Sequence, residues 1–320
     1  MDVLEQSYRY GKSPLMPGAA SIPYRVCLYG KPIARSLSPL LHSILFKSVG
    51  ASWTFHLAET TSSDEFLSKL HNPNAIGASI TMPNKVSFQP LLDDLTDEAR
   101  AIGAVNTAFI RLSPGGQRRY IGTNTDCVGI RDTIVQHEPQ AAVRAQGRPA
   151  LVVGGGGAAR SAIYALWKWF RPSEIYIANR LKSEVDTLVS YFRSAIPGIQ
   201  LRHLDRVEWA ARLPSPYIVV GTIPDHPPSE PGEVLCWNIC YTMLKKVEKG
   251  ILVDMCYMPS PLTRLVMAAR DNGWQTISGR EVLVRVCTAQ QILWTEQPPS
   301  KQGVTEALSA IEGRPAESKL

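Results

Sequence analysis

The stretch that most constrains the fold runs from Pro149 to Ala178. Pro149-Ala-Leu-Val-Val153 is an unbroken apolar run, the kind of strand that is buried on both faces of a parallel sheet. Gly154-Gly-Gly-Gly-Ala-Ala-Arg160 comes next, then a helix from Ser161 to Phe170, then the strand Glu174-Ile-Tyr-Ile-Ala178. Strand, glycine turn, helix and strand make the first βαβ unit of a dinucleotide-binding fold. Gly154, Gly156 and Ala159 fit the pattern GxGxxA, with Gly157 and Ala158 inside the turn. Glycine lets a backbone turn sharply and come close to a ligand. The plain alternative is a tight turn without a ligand; the placement between a strand and a helix is what favours a cofactor.

The second strand of this unit ends in Asn179-Arg180-Leu181-Lys182. A site for NAD usually carries Asp or Glu here for the ribose 2′-hydroxyl, and an Arg accommodates the 2′-phosphate of NADP. Arg180, with Lys182 close by, favours NADP, with NAD as the alternative. Two more strands, Tyr217 to Val220 and Ile251 to Asp254, end in Gly221-Thr222 and in Cys256-Tyr257. Ligands in such sheets lie at the carboxyl ends of the strands, which places Thr222 and Tyr257 near the site. Gly279 then precedes a long helix, Glu281 to Trp294.

The first half supplies the candidate chemistry. Between Gly77 and Asp126 stand Thr81, Lys85, Asn106, Asn124 and Asp126, among glycines and short apolar runs. Hydrogen-bonding groups on loops held by rigid elements are where sites are usually built. Lys85 and Asp126 are the candidate proton-transfer pair, acting on a polyhydroxylated substrate; the plain alternative for Lys85 is an exposed loop lysine. Upstream, Ser36 and Ser38 precede Pro39 and an apolar-periodic helix that Gly50 stops. Ser38 before Pro39 fits an N-cap. Ser36 is one serine too many for capping and is expected to face a ligand at the positive end of that helix.

Composition narrows the class. Of the 320 residues 44% are hydrophobic and 19% charged, as in a globular protein. The apolar runs are too short to cross a bilayer, and the N-terminus lacks a signal-peptide pattern, so a cytoplasmic enzyme is expected, without membrane partners. The net charge is +6, but Lys and Arg are scattered with no basic stripe. That excludes nucleic acid as the expected partner and suits an anionic small molecule. The six cysteines form no CxxC pair and are expected to be reduced; no metal site is expected. Disorder is expected only in the tails.

In order along the chain, PIARSLSPLLH, SITMPNK, GAVNT, GTNTD, GGGGAAR, NR, DMCYMPSPLT and the helix after Gly279 resemble the shikimate and quinate dehydrogenases, the AroE-like family. The match runs from about Tyr29 to Trp294. The resemblance implies an α/β protein: an N-terminal α/β substrate-binding domain plus a Rossmann-type dinucleotide-binding domain. The expected divisions are a flexible tail over 1–24, the substrate domain over 25–136, the Rossmann domain over 137–278, a last helix over 279–296 returning to the first domain, and a tail over 297–320. The implied reaction interconverts a ring hydroxyl and ketone on a cyclohexane or cyclohexene carboxylate, with NADP or NAD. Ser36 and Ser38 are implied to bind the substrate carboxylate, Thr81, Asn106 and Tyr257 to complete the substrate site, and Lys85 and Asp126 to be catalytic. Gly154, Gly156, Gly157, Ala158, Asn179, Arg180, Thr222 and Gly279 are implied for the cofactor. A monomer or homodimer is expected.

Three positions depart from the family pattern. Ser79 stands where Asn is usual, Val286 where Gln binds a substrate hydroxyl, and Val282 where Met is usual. Valine cannot make that hydrogen bond, at a cost of roughly 1–3 kcal/mol when a buried group is left unpaired. A tailoring enzyme with a less hydroxylated ring, or a ligand sensor on the same scaffold, are the two alternatives this raises.

Overall fold

Two six-stranded sheets carry the chain, each in its own compact unit. The structure, a computed structural model, describes residues 3–312. One unit takes the chain up to Thr125 and again from Val284; the other takes Asp126–Leu283.

The first sheet contains β1 (Arg25–Gly30), β2 (Thr54–Glu59), β3 (Ala75–Ile80), β4 (Asp94–Leu95), β5 (Thr107–Leu112) and β6 (Arg118–Thr123), in the order β2-β1-β3-β5-β6-β4. β1, β2 and β3 are parallel, whereas β5 runs against β3 and β6 against β5. The reversal at β5 positions the site. It sets the residue before β5 beside the end of β3, where the Ile80 N–H donates to the Asn106 carbonyl at 2.7 Å. β3 is buried at all six positions, as a central strand covered on both faces should be. One of those residues has to be glycine: a Cβ on Gly77 would lie 2.3 Å from Trp294 Nε1 and 2.6 Å from the Ala108 carbonyl. Trp294 sits there because its indole N–H donates to that carbonyl at 2.9 Å.

Both expected tails contain ordered structure. Val3–Ser7 is helical, Tyr8–Tyr10 forms a 3-10 turn, and Lys12 bridges to Leu112. Their anchor is Arg111 of β5, which is 1% exposed. A buried cation has to be partnered, and its partners come from both ends of the chain. Its guanidinium donates to Ser7 Oγ, lies 3.1 Å from Glu296 Oε1 and packs 4.9 Å from the Tyr8 ring. Tyr8 also donates to Glu296, at 2.8 Å. At the other end, Lys301–Glu312 is a helix with Ala307 and Ile311 buried. Gly303 lets it approach the helix Ser38–Ser48, since a Cβ there would meet Ser48 Cβ at 2.4 Å. The helix after β4 is short, Asp97–Ile102. Thr96 caps it by accepting from Ala99 N at 3.3 Å, and Asp94–Leu95 pairs with β6.

The second sheet contains β7 (Ala150–Val153), β8 (Ile175–Ala178), β9 (Leu201–His203), β10 (Ile218–Gly221), β11 (Ile251–Asp254) and β12 (Gln275–Ser278). All are parallel, in the order β12-β11-β10-β7-β8-β9. This is the doubly wound Rossmann order, with the strand order reversing at β7. β9 and β12 escape the sequence reading because they are short edge strands with exposed positions. Residues 138–148 contain the short helix Ala141–Ala145, whose first and last residues are buried. The last long helix, Gly279–Thr295, begins in the second unit and continues into the first. Among the described residues no helix is long and apolar enough to cross a membrane.

Candidate active site

In the first unit the candidate substrate residues gather at one edge of the sheet. Ser36 and Ser38 follow β1, Thr81 and Lys85 follow β3, and Asn106 precedes β5. The strand ends are stitched together by backbone bonds: Thr81 N to Tyr29 O at 2.8 Å, Lys31 N to Met82 O at 3.0 Å, and Val105 N to Lys85 O at 2.8 Å. Gly30 permits this closeness, since a Cβ there would lie 2.3 Å from Thr81 Cγ2. Lys85 stands on a single helical turn, Asn84–Ser87. Asn84, 1% exposed, holds that turn by donating to the Thr60 carbonyl at 2.9 Å.

Ser38 does not cap its helix. The helix begins at Ser38 itself, Leu37 occupies the N-cap, and no side chain caps it. Ser36 Oγ accepts from Ser38 N at 3.2 Å. Contrary to the expectation, it is Ser36 whose oxygen takes up the N–H of the helix's first residue, while Ser38 is buried beside Pro39.

Asn106 is held by a polar chain that the sequence does not announce. Its Oδ1 accepts from Thr125 N at 2.7 Å and from Thr107 Oγ1 at 2.8 Å, and its Nδ2 donates to Thr125 Oγ1 at 3.0 Å. Gln290, 2% exposed, feeds this chain. Its Nε2 donates to Thr107 Oγ1 at 2.9 Å and to Ser79 Oγ at 3.0 Å, and its Oε1 faces His42 Nε2 at 3.2 Å. An amide oxygen only accepts, so His42 carries its proton on Nε2. Burial pushes His42 down to about 3, so it is neutral at physiological pH. Its ring stacks on Phe55 at 4.3 Å. Gln290 lies one helical turn beyond Val286 on the same face of the helix. Gln290 thus reaches Ser79, one of the three departures, from a position far away in the chain and adjacent in space, a pairing that the sequence does not show.

Asp126 opens the helix Asp126–His137 of the second unit and is 6% exposed. The residue before it, Thr125, is the one bonded to Asn106. Asn124 donates to the Ala104 carbonyl at 3.0 Å, which fixes the same loop.

In the second unit the glycine turn fits a dinucleotide. Gly154 has φ of +126°, and a Cβ on it would meet Thr222 Oγ1 at 2.3 Å. The helix Gly157–Ala165 starts after Gly156 with no side-chain cap, and over Gly156 a Cβ would meet nothing within 4 Å. Uncapped N–H groups beneath open space suit a pyrophosphate. Ala158 lies in the first turn of that helix. Thr222 donates to the Val153 carbonyl at 2.7 Å, so its hydroxyl proton braces the turn. Gly279 is explained by packing: a Cβ there would lie 2.6 Å from the Asp254 carbonyl and 2.5 Å from that of Met255.

Around the end of β8 the cations are already paired. Arg180 Nη1 lies 2.8 Å from Glu233 Oε1, and Lys182 Nζ 2.6 Å from Asp186 Oδ2. Glu233 also accepts from Ser229 N and Glu230 N in a capping box. The Ser229 N–H, then Arg180 and the Glu230 N–H, hold its carboxyl down at about 2. Asn179 donates to Glu184 Oε2 at 2.7 Å and to the Leu181 carbonyl at 3.1 Å.

Tyr257 is half-buried just after β11. That strand ends in Asp254, 2% exposed, which accepts from Thr263 Oγ1 at 2.5 Å and from Cys256 N at 3.1 Å. Burial raises its carboxyl to about 6; the two hydrogen bonds pull it back and Asp225 pushes it further up. From the ordinary value of 3.8 up to about 6, the folded state keeps a proton that the unfolded chain has lost. Stability therefore falls as pH rises through that window, by about 3 kcal/mol in full. Asp254→Asn is expected to flatten this slope: between pH 4 and pH 7 its melting temperature should fall less than that of the wild type. Parallel pH profiles would remove Asp254 as the cause.

A Rossmann unit joined to a unit that presents serines, a threonine, a lysine and an asparagine at the edge of its sheet defines a two-unit dinucleotide-linked oxidoreductase. Residues 28–108 match the family described as the shikimate dehydrogenase substrate binding domain. The quinate dehydrogenase of Emericella nidulans is 39% identical over 301 residues, covering 89% of this chain and 92% of that protein. The dehydroquinate dehydratase and shikimate dehydrogenase chain of S. pombe is 30% identical with a TM-score of 0.74, covering 96% of this chain and 56% of that longer one. The shikimate 5-dehydrogenase of Thermus thermophilus, solved in complex with NADP(H) and shikimate, is 25% identical with a TM-score of 0.70, covering 90% and 99%. The chain belongs to the shikimate/quinate dehydrogenase family. It is an oxidoreductase of that type.

Proposed function

We propose that the chain oxidises quinate to 3-dehydroquinate, and runs the reverse reduction, with a nicotinamide dinucleotide. The observation that carries the ring-acid reading is the gathering of Ser36, Ser38, Thr81, Lys85 and Asn106 around the ends of β1 and β3 and the start of β5. The relationship to the Emericella quinate dehydrogenase over nearly its whole length favours quinate over shikimate. Ser36 and Ser38 hold the ring carboxylate at the start of their helix, where the dipole favours an anion. Thr81 and Asn106 hold ring hydroxyls, and the fixed Asn106 amide makes its bond directional.

Bound at Gly154, Gly156 and Gly157, the nicotinamide dinucleotide supplies the hydride acceptor. Hydride leaves a carbinol carbon only as the hydroxyl proton is removed, so a group must reach that oxygen. Lys85 takes the proton there in oxidation and returns it in reduction. Asp126 is the second candidate for this proton work. Tyr257 contributes to the substrate site.

The test is a screen of quinate, shikimate and their dehydro forms with NAD and NADP, following nicotinamide absorbance. Quinate is expected to give the highest kcat/KM. Turnover of shikimate alone would replace quinate in this reading, and turnover of none, with a dinucleotide bound, would favour a ligand sensor.

A further inference from the structure

The side chains around β8 bear on which dinucleotide fits, a question that rests on the cofactor reading above. In a Rossmann unit the ribose 2′ group docks just beyond the second strand, near the glycine turn. Asn179 occupies the usual place of the ribose-binding acid. It is not itself an acid, but it delivers one. Its Nδ2 holds Glu184 Oε2 at 2.7 Å, and that oxygen lies against the turn: a Cβ on Gly155 would be 3.0 Å from Glu184 Oε2 and 2.7 Å from Asn179 Nδ2. Glu184 belongs to the first turn of the helix Lys182–Ala195 and remains exposed. A carboxylate in that place accepts hydrogen bonds from a ribose diol and repels a phosphate.

The expected phosphate clamp, meanwhile, is occupied. Arg180 is bonded to Glu233, which the capping box fixes in place, and a Cβ on Gly232 would lie 2.5 Å from the Arg180 carbonyl, so the two segments touch. Lys182 is bonded to Asp186. Two cations thus face three carboxylates, Glu184, Asp186 and Glu233. A 2′-phosphate would have to displace Glu233 from Arg180 and then sit among these like charges.

We propose that Glu184 reads the ribose 2′-hydroxyl and that, together with the Glu233 lock on Arg180, it makes this chain prefer NAD to NADP. This reverses the preference that Arg180 suggests from sequence alone.

The test measures binding without the ring substrate: calorimetric titration of the intact protein with NAD, NADP and 2′,5′-ADP. The wild type is expected to bind NAD at least about tenfold more tightly than NADP, since charge-assisted bonds are worth about 1.5–3 kcal/mol. Glu184→Gln should weaken NAD by about tenfold and spare NADP. The double variant E184Q/E233Q should bind 2′,5′-ADP more tightly than the wild type and invert the preference. Glu184 is exposed, whereas Glu233 is largely buried and closes the capping box of its helix, so E184Q/E233Q is expected to melt lower than the wild type; a cooperative thermal transition above the assay temperature will show that the variants fold. Equal or tighter binding of NADP by the wild type, an unchanged ratio in Glu184→Gln, or no binding of either dinucleotide would each overturn the proposal. Discrimination between the dinucleotides without turnover of any ring acid would overturn the quinate reading and leave this one standing.

Discussion

Lys85→Met is expected to lower kcat by about 10²–10⁴-fold, the range typical of a lost general acid–base group, while NAD and NADP bind as before. The expectation comes from where Lys85 stands. Its helical turn is fixed by Asn84 on Thr60 and by Val105 N on its own carbonyl, so the side chain starts from a rigid backbone beside Thr81. A methionine preserves most of the stem and removes only the amine. Lys85→Arg separates two roles. If Lys85 only supplied positive charge, arginine would restore most of the rate. If it moves a proton, arginine fails, because its guanidinium does not release one in this pH range. Steady-state rates on the best ring acid, with dinucleotide affinity measured separately, decide the matter. A methionine variant within about threefold of the wild type, far outside the span expected for a lost acid–base group, would take Lys85 out of the chemistry.

How far the sequence could be read depended on distance along the chain. The glycine turn, its flanking strands and the helix after them depend on near neighbours in the chain, and the pattern of apolar and glycine residues shows them directly. The loops bearing Ser36, Thr81 and Asn106 were legible as positions for the same reason. What could not be read was how distant groups answer one another. Arg180 reads as a phosphate clamp until Glu233, on another helix, is found bonded to it. The N-terminal segment has no periodicity, and its order comes from Arg111 and Glu296. Val286 reads as a lost hydrogen bond, and Ser79 as a shorter hydrogen-bonding group than the usual Asn. Only the fold shows that Gln290 is bonded to Ser79.

Gln290→Leu should therefore damage both stability and substrate binding. The leucine is close in volume, so packing loss is small; what is lost is the hub of a buried polar chain. His42 Nε2–H would lose its acceptor, and Ser79 and Thr107 would lose a donor, all within a core where His42 is fully buried. His42 Nδ1 already lacks a partner, so the ring would be left without any. Leaving a buried donor unsatisfied costs about 1–3 kcal/mol, and with the weakened hydroxyl network a total of about 2–4 kcal/mol is expected, seen as a lower denaturant midpoint. The second effect follows from direction. Thr107 Oγ1 spends its proton on Asn106 Oδ1 because Gln290 donates to it from the other side. Without that donor Thr107 Oγ1 is left to its 3.1 Å contact with Thr125 Oγ1, and its bond to the Asn106 amide is less firmly directed. KM for the ring acid should rise several-fold, more than kcat falls, with dinucleotide affinity unchanged. Gln290→Glu sharpens the reading: its carboxylate still accepts from His42 but has no N–H for Ser79 or Thr107. If substrate affinity depends on the donor side of the amide, Glu should raise KM as much as Leu does. A glutamate variant with the wild-type KM would confine Gln290 to holding His42 in the core.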